Sequence, residues 1–167
     1  MLQFGDIFLH SKKGNNNSYN LDDETNWIDY NLDERKKNLS HYIKELIKFR
    51  KNTKILKAKD YPEKLTYFYP NGTIADNLDD SYWNNNCSHI ICFKIPDEKG
   101  NLFVAISKDS NKMTLELPEN SKNKNWALVI DTKKDFIDFK NKKAYNSYEL
   151  EPFCACVFKE KGKYLWS

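Results

Sequence analysis

The sequence predicts an α+β chain: a short strand, a long polar loop and one amphipathic helix, followed by an antiparallel β-sandwich. Three observations carry that expectation. Residues 1–30 open with a short apolar stretch that meets Gly5-Asp6 and then run almost wholly polar through SKKGNNNSYNLDDETN. Leu39, Tyr42, Ile43, Leu46, Ile47 and Phe49 recur mostly three and four residues apart, the spacing of one helix face. From about Lys64 onward, short alternating apolar runs are divided by turn residues.

Each element has its local reason. A polar loop as long as the first one is uncommon in a compact domain and is functional when ordered. Its Asn and Asp residues tolerate turn conformations, so Gly14 to Asn17 should be turn-rich. The helix is expected over roughly Asp33 to Lys51, with Asn31 and Glu34 at capping-box spacing and Asn in place of the usual Ser or Thr. Ile55 and Leu56 should continue its apolar contact. Leu65 to Tyr69 precedes Pro70-Asn71-Gly72, a strong turn signal. Strands are then expected over His89 to Ile95, Leu102 to Ser107, Met113 to Leu117, Trp126 to Asp131 and Phe153 to Lys159. Leu102, Val104 and Ile106 share one face, as do Met113, Leu115 and Leu117. Several short strands at this spacing predict a sandwich. The expected division is residues 1–58 and 59–167. A lone strand and helix bury too little to be stable alone, so the first part reads as the last unit of a larger α/β domain.

Composition excludes several function classes. With 40% hydrophobic and 14% aromatic residues, the chain is too apolar to be wholly disordered. No run approaches the roughly twenty apolar residues of a spanning helix, so no membrane partner is expected. The opening MLQFGDIFLH lacks the pattern of a secretory signal, which points to the cytoplasm. Lysines alternate with Asp and Glu, and Arg35 and Arg50 are the sole arginines. That is a solvated surface and argues against nucleic acid, whose binders lean on arginine. Cys87, Cys92, Cys154 and Cys156 lack the paired C-x-x-C spacing of a structural zinc site and read as buried thiols. No metal and no cofactor is expected.

The stretch from Gly5 to Tyr19, with Gly14-Asn15-Asn16-Asn17 inside it, is similar to part of the isoamylase-type glycogen- and starch-debranching enzymes of the α-amylase superfamily. There the eighth barrel strand ends in Gly-Asp-Glu, and a loop carries Gly-Asn-Asn-Asn before a Tyr or Trp. The likeness continues through Asp22-Asp23 and Trp27-Ile28-Asp29-Tyr30. The helix ending Phe49-Arg50-Lys51 resembles the last barrel helix, and Phe68-Tyr69-Pro70-Asn71-Gly72 resembles the family's Phe-His-Pro-Asp-Gly. The segment from Asp79 to Asn86, with Trp83, resembles its Asp-Trp-Asn stretch. The pieces keep the family's order along nearly the whole chain. The resemblance implies the terminal strand-loop-helix unit of a (β/α)8 barrel followed by the C-terminal β-sandwich. Two departures stand out: Ile7 replaces the family's Glu, and Leu9 stands where Gly is common. Isoleucine can only pack, so the change is either tolerated or marks a non-catalytic relative.

The resemblance also sets what chemistry to expect. A retaining glycosidase needs two carboxyl groups about 5 Å apart across the scissile bond. In the family these residues follow earlier barrel strands, upstream of anything in this sequence. Asp22, Asp23 and Glu24 are adjacent on a solvated loop and read as surface charge. The chain alone is therefore expected to be inactive, with no catalytic residue of its own, and to supply a wall of the substrate cleft from the eighth loop. The expected substrate-binding residues are Asp6, His10, Asn15, Asn16 and Asn17. Side-chain amides both donate and accept, which suits sugar hydroxyls, although the same amides can instead close turns. His10 offers a neutral donor, and Asp6 a ligand for neighbouring loops. Tyr19 and Trp27 can stack on a glucose face or belong to the core. Trp83, Trp126 and Trp166 read as packing anchors. The expected partners are a branched α-glucan and a complementary barrel-containing polypeptide or the missing N-terminal part. The rival readings are a stand-alone glucan-binding or scaffolding protein and an inert β-sandwich.

Overall fold

An aspartate just before a run of helix-forming residues sets where the helix begins. In the computed structural model, which describes residues 2–60, 65–75, 89–134 and 136–162, the Asp33 carboxylate accepts a hydrogen bond from the Lys36 backbone N–H at 2.8 Å. The helix α1 follows over Glu34–Asn52. This corrects the expected Asn31–Glu34 capping box: the cap is Asp33, which lies one residue before the first helical turn and reaches the orphan donor directly. Arg50 and Lys51 in the last turn complement the helix dipole.

The chain divides into two compact units, residues 1–48 and 49–167. In the first, the segment expected to be strand-like ends in a 3-10 turn over Asp6–Phe8. Among the described residues no strand lies beside it to complete a ladder, which is the physical reason an extended form gains little there. Phe4, Phe8 and Tyr30 gather instead into an aromatic cluster with ring centroids 5.2 to 6.4 Å apart. The helix stripe of Leu39, Tyr42, Ile43 and Leu46 is half-buried, and Ile47 is exposed.

The second unit is a two-layered β-sandwich. Its strands are β1 (Thr66–Phe68), β2 (Ile90–Ile95), β3 (Leu102–Ser107), β4 (Met113–Glu116), β5 (Lys124–Asp131), β6 (Phe136–Ile137), β7 (Ser147–Leu150) and β8 (Cys154–Gly162). Six of them form one sheet in the order β1-β2-β3-β8-β5-β6, and β4 pairs with β7 in a second sheet; all pairings are antiparallel. Phe103, Trp126, Phe158, Leu115 and Leu150 are fully buried between the layers. The Trp126 indole donates to the Pro118 carbonyl at 2.7 Å, so this tryptophan is a packing anchor with its one polar atom satisfied.

Leu102, Val104 and Ile106 do share a face, but the core takes the opposite phase of β3, Phe103 and Ala105. The outer face is apolar as well: Ile91 is paired to Ile106 and Ile106 to Ala155, with Phe93, Val104 and Val157 in the next row. Ile91 and Ile106 are 40% and 45% exposed there. Gly100 ends the β2–β3 turn at a φ of +116°, where a Cβ would lie 2.3 Å from the Glu160 carbonyl oxygen. The segment that follows α1 bonds the same turn: the Ile55 N–H donates to Asp97 at 3.1 Å, and Lys54 pairs with Glu98 at 2.5 Å. Cys92, Cys154 and Cys156 are buried thiols, and burial pushes the Cys92 thiol up to about 12. Cys87, Trp83, Trp166 and the Asp79 to Asn86 segment lie outside the described residues.

Candidate functional site

The polar loop has a defined shape because two of its side chains fold it on itself. Ser18, 3% exposed, donates its hydroxyl proton to the Asn26 amide oxygen at 2.8 Å and accepts from the Lys12 ammonium at 2.8 Å. The Asn26 amide nitrogen donates in turn to the carbonyls of Ser18 at 2.5 Å and Leu21 at 2.6 Å. This hub was not legible in sequence, since Ser and Asn are common in the loop and nothing in their spacing marks a buried pair. Lys36 is the second anchor. Its ammonium, 12% exposed at the side chain, bonds Asp29 at 2.7 Å and the Asn31 carbonyl at 2.9 Å, fixing the approach to the helix.

Beside the Lys36 anchor lies a cavity of about 430 Å³ lined by His10, Ser11, Glu24, Trp27, Asp29 and Lys36 over Phe8 and Ile28. Of the residues expected to contact substrate, His10 is on that lining, and its ring also packs beside Gly5. Asp6 is exposed and accepts the Gln3 N–H at 2.8 Å. The Asn15 amide oxygen accepts the Asn17 N–H at 2.9 Å and so closes a local turn, while the side chains of Asn16 and Asn17 face solvent. Trp27 is 59% exposed, with its indole N–H on Asp22 at 2.9 Å, and Tyr19 is 85% exposed. Neither aromatic is a core residue. Ile7, in the place of the family's Glu, is half-buried. Leu9 has a φ of +54°, a conformation that costs a glycine nothing and a leucine some strain.

Neighbouring donors favour the ionised form of two loop carboxylates, of which Asp29 lines the cavity. Hydrogen bonds from the Thr25 side chain and backbone hold the Asp23 carboxyl below the usual carboxylate range, and Lys36, with the Asn31 N–H, does the same for Asp29. A general acid at neutral pH needs the opposite shift. What the cavity offers is an aromatic face beside a hydroxyl, an imidazole and carboxylates, a set of donors and acceptors suited to a polyhydroxylated ligand.

Comparison with known proteins gives a consistent outcome. Residues 64–148 match the family model described as the C-terminal domain of isoamylase. The isoamylase of Pseudomonas amyloderamosa is 31% identical over 138 residues, covering 79% of this chain and 17% of that protein. The chloroplastic isoamylase SU1 of Zea mays is 31% identical over 139 residues, covering 81% of this chain and 17% of that protein. The chain thus spans about one-sixth of the length of these curated relatives. A crystal structure of pullulanase from Anoxybacillus sp. LM18-11 complexed with maltotetraose superposes with a TM-score of 0.64 at 18% identity, covering 95% of this chain and 20% of that one, a likeness of fold.

Proposed function

The chain belongs to the isoamylase family through its C-terminal domain, and from that membership we propose that it is the C-terminal portion of a glycoside hydrolase. That enzyme cleaves α-1,6-glucosidic branch points in glycogen or starch by a retaining route. In this reading residues 1–58 are the last β/α unit of its barrel and residues 59–167 the supporting β-domain. The nucleophile and general acid belong to the part of the relatives that this chain does not span, and this chain contributes a cleft wall.

The observation that carries the reading is the extent of the likeness. The isoamylase alignment covers 79% of the chain, while the domain match spans 64–148, so the similarity reaches upstream of the β-domain. The apolar outer face of β2, β3 and β8 supports it, because a sheet that is apolar on both faces is ordinarily covered on both. Glucan contact is assigned to His10 and Trp27 in the cavity, with Asp6, Asn15, Asn16 and Asn17 along its loop. The pullulanase likeness, to a structure complexed with maltotetraose, agrees with a glucan as ligand. We read the compartment as cytoplasmic, which the buried thiols support.

The test is calorimetric titration of the chain with a branched maltooligosaccharide, after sedimentation has fixed its oligomeric state. Millimolar or tighter binding that weakens in the Asn16→Ala, Asn17→Ala double variant is the expected result. No heat from a folded monomer would overturn the cleft-wall assignment. The chain alone is expected to release no reducing ends from glycogen, and release would overturn the assignment of the catalytic groups to the rest of the enzyme.

A further inference from the structure

Beside the end of α1, over strands β5 and β8, a cavity of about 630 Å³ has an apolar floor and a basic rim. On the floor Phe49 and Phe139 stack with ring centroids 4.9 Å apart and planes 5° from parallel, beside the buried Ala127 and Val129. Five lysines line the rim: Lys99, Lys124, Lys142, Lys159 and Lys161.

Their charge is only partly met. The Lys161 ammonium donates to the carbonyls of Phe139 and Asn141 at 2.6 and 2.5 Å, which are neutral acceptors. Lys124 lies 3.5 Å from Glu160, whose carboxylate is already bonded to Ser121 and Asn101, and Lys159 lies 4.0 Å from Asp97. The ammonium groups of Lys99 and Lys142 have no acceptor among the described residues, although the Lys99 backbone N–H donates to Asp97. Burial pushes the Lys159 and Lys161 ammoniums below the usual lysine range; Asp97 and Asp138 oppose this, while Lys99 and Lys142 add to it. A cluster of like charges held in that way is relieved by an anion. A second feature points the same way. Thr53 lines the cavity at 1% exposure, and its hydroxyl oxygen is buried without a hydrogen-bond partner. An orphan hydroxyl in a protein interior is costly unless something supplies the missing bond.

We propose that this cavity binds a phosphomonoester carried on a sugar-sized body. The rim lysines take the dianion, the Phe49–Phe139 floor takes the apolar face of the ring, and the Thr53 hydroxyl bonds a polar atom of the ligand. The volume lies within the few hundred to about 1,000 Å³ of ordinary small-molecule sites. All of these groups belong to residues 49–162, so the site stands independently of the glucan cleft.

Calorimetric titration of the full chain with glucose 6-phosphate, with glucose as control, tests the assignment. The expected result is saturable binding of the phosphate ester, none of glucose, and an affinity that falls as salt screens the lysines. The Lys99→Ala, Lys142→Ala double variant removes two side chains with no structural partner, so it should keep the wild-type circular dichroism and melting temperature. It should lose affinity by about tenfold or more. No binding of glucose 6-phosphate up to about 10 mM, or undiminished binding by the folded double variant, would overturn the proposal.

Discussion

Tyr148 of β7 donates its hydroxyl proton to the Asp131 carboxylate at the end of β5, at 2.6 Å, and so ties the two-stranded sheet to the six-stranded one. Asp131 is fully buried, and its other oxygen accepts the backbone N–H groups of Lys133 and Lys134 at 2.9 and 3.3 Å. Burial and the neighbouring Asp131 carboxylate push the Tyr148 hydroxyl upward, so the proton stays on the phenol. Tyr148→Phe keeps the ring, which packs 5.4 Å from Phe158, and removes the donor to Asp131 together with the oxygen that accepts from the Lys134 ammonium at 2.8 Å. The expected cost is about 1.5–3 kcal/mol, the range for a hydrogen bond to a charged group. Urea unfolding measures it; an unchanged midpoint would show that the bond does not join the layers.

Gly100 sets a second tolerance limit. At φ +116°, with a Cβ meeting the Glu160 carbonyl oxygen at 2.3 Å, alanine can be accommodated only by moving the β2–β3 turn off β8. Gly100→Ala is expected to destabilise by about 3 kcal/mol or more, or to prevent soluble expression. Retention of the wild-type melting temperature would sink this account of the close approach.

The strands that could be read from sequence are those whose own residues carry the signal. β3 runs over Leu102–Ser107 as its apolar run predicts, and β2 and β5 differ from expectation only at their ends. β6 and β7 were not foreseen. Phe136–Ile137 is too short to show a period, and Ser-Tyr-Glu-Leu becomes a strand through its long-range pairing with β4, Leu115 opposite Tyr148. The inward phase of β3 was hidden for a related reason: both of its faces are apolar, so periodicity alone cannot choose between them. Of the residues that the sequence singles out, His10 lies on the cavity lining and Asn15, Asn16 and Asn17 lie outside it, whereas the Ser18–Asn26 hub and the Lys36 anchor depend on contacts across the folded loop.

The helix start offers a direct contrast between the expected and observed caps. Asp33→Ala removes the acceptor for the Lys36 N–H and should cost about 1 kcal/mol. Asn31→Ala removes a side chain outside the cap and should cost under about 0.5 kcal/mol. Chemical denaturation of both variants checks the pair, and a larger loss for Asn31→Ala would return the cap to the position that spacing alone predicts.

Glu160 gives the fold an acid limit. It is 2% exposed, and burial alone would raise its carboxyl. The hydrogen bonds from the Ser121 backbone and hydroxyl, the Asn101 N–H and the Lys124 charge outweigh burial and bring it below its ordinary 4.5. A carboxyl depressed in the folded state means that the unfolded chain takes up the proton first on acidification. Its contribution to stability is therefore fully present above pH 4.5 and is lost as the pH falls through the lower folded value. Glu160→Gln keeps the size of the side chain, weakens those bonds at neutral pH and cannot titrate. The variant should be less stable than wild type at pH 7 by about 1–3 kcal/mol, and the gap should narrow toward pH 3 as wild-type Glu160 becomes protonated. Urea midpoints across that range read it directly. A gap that stays constant with pH would show that Glu160 is protonated at the same pH folded and unfolded, and that the Ser121 and Asn101 bonds do not select its charged form.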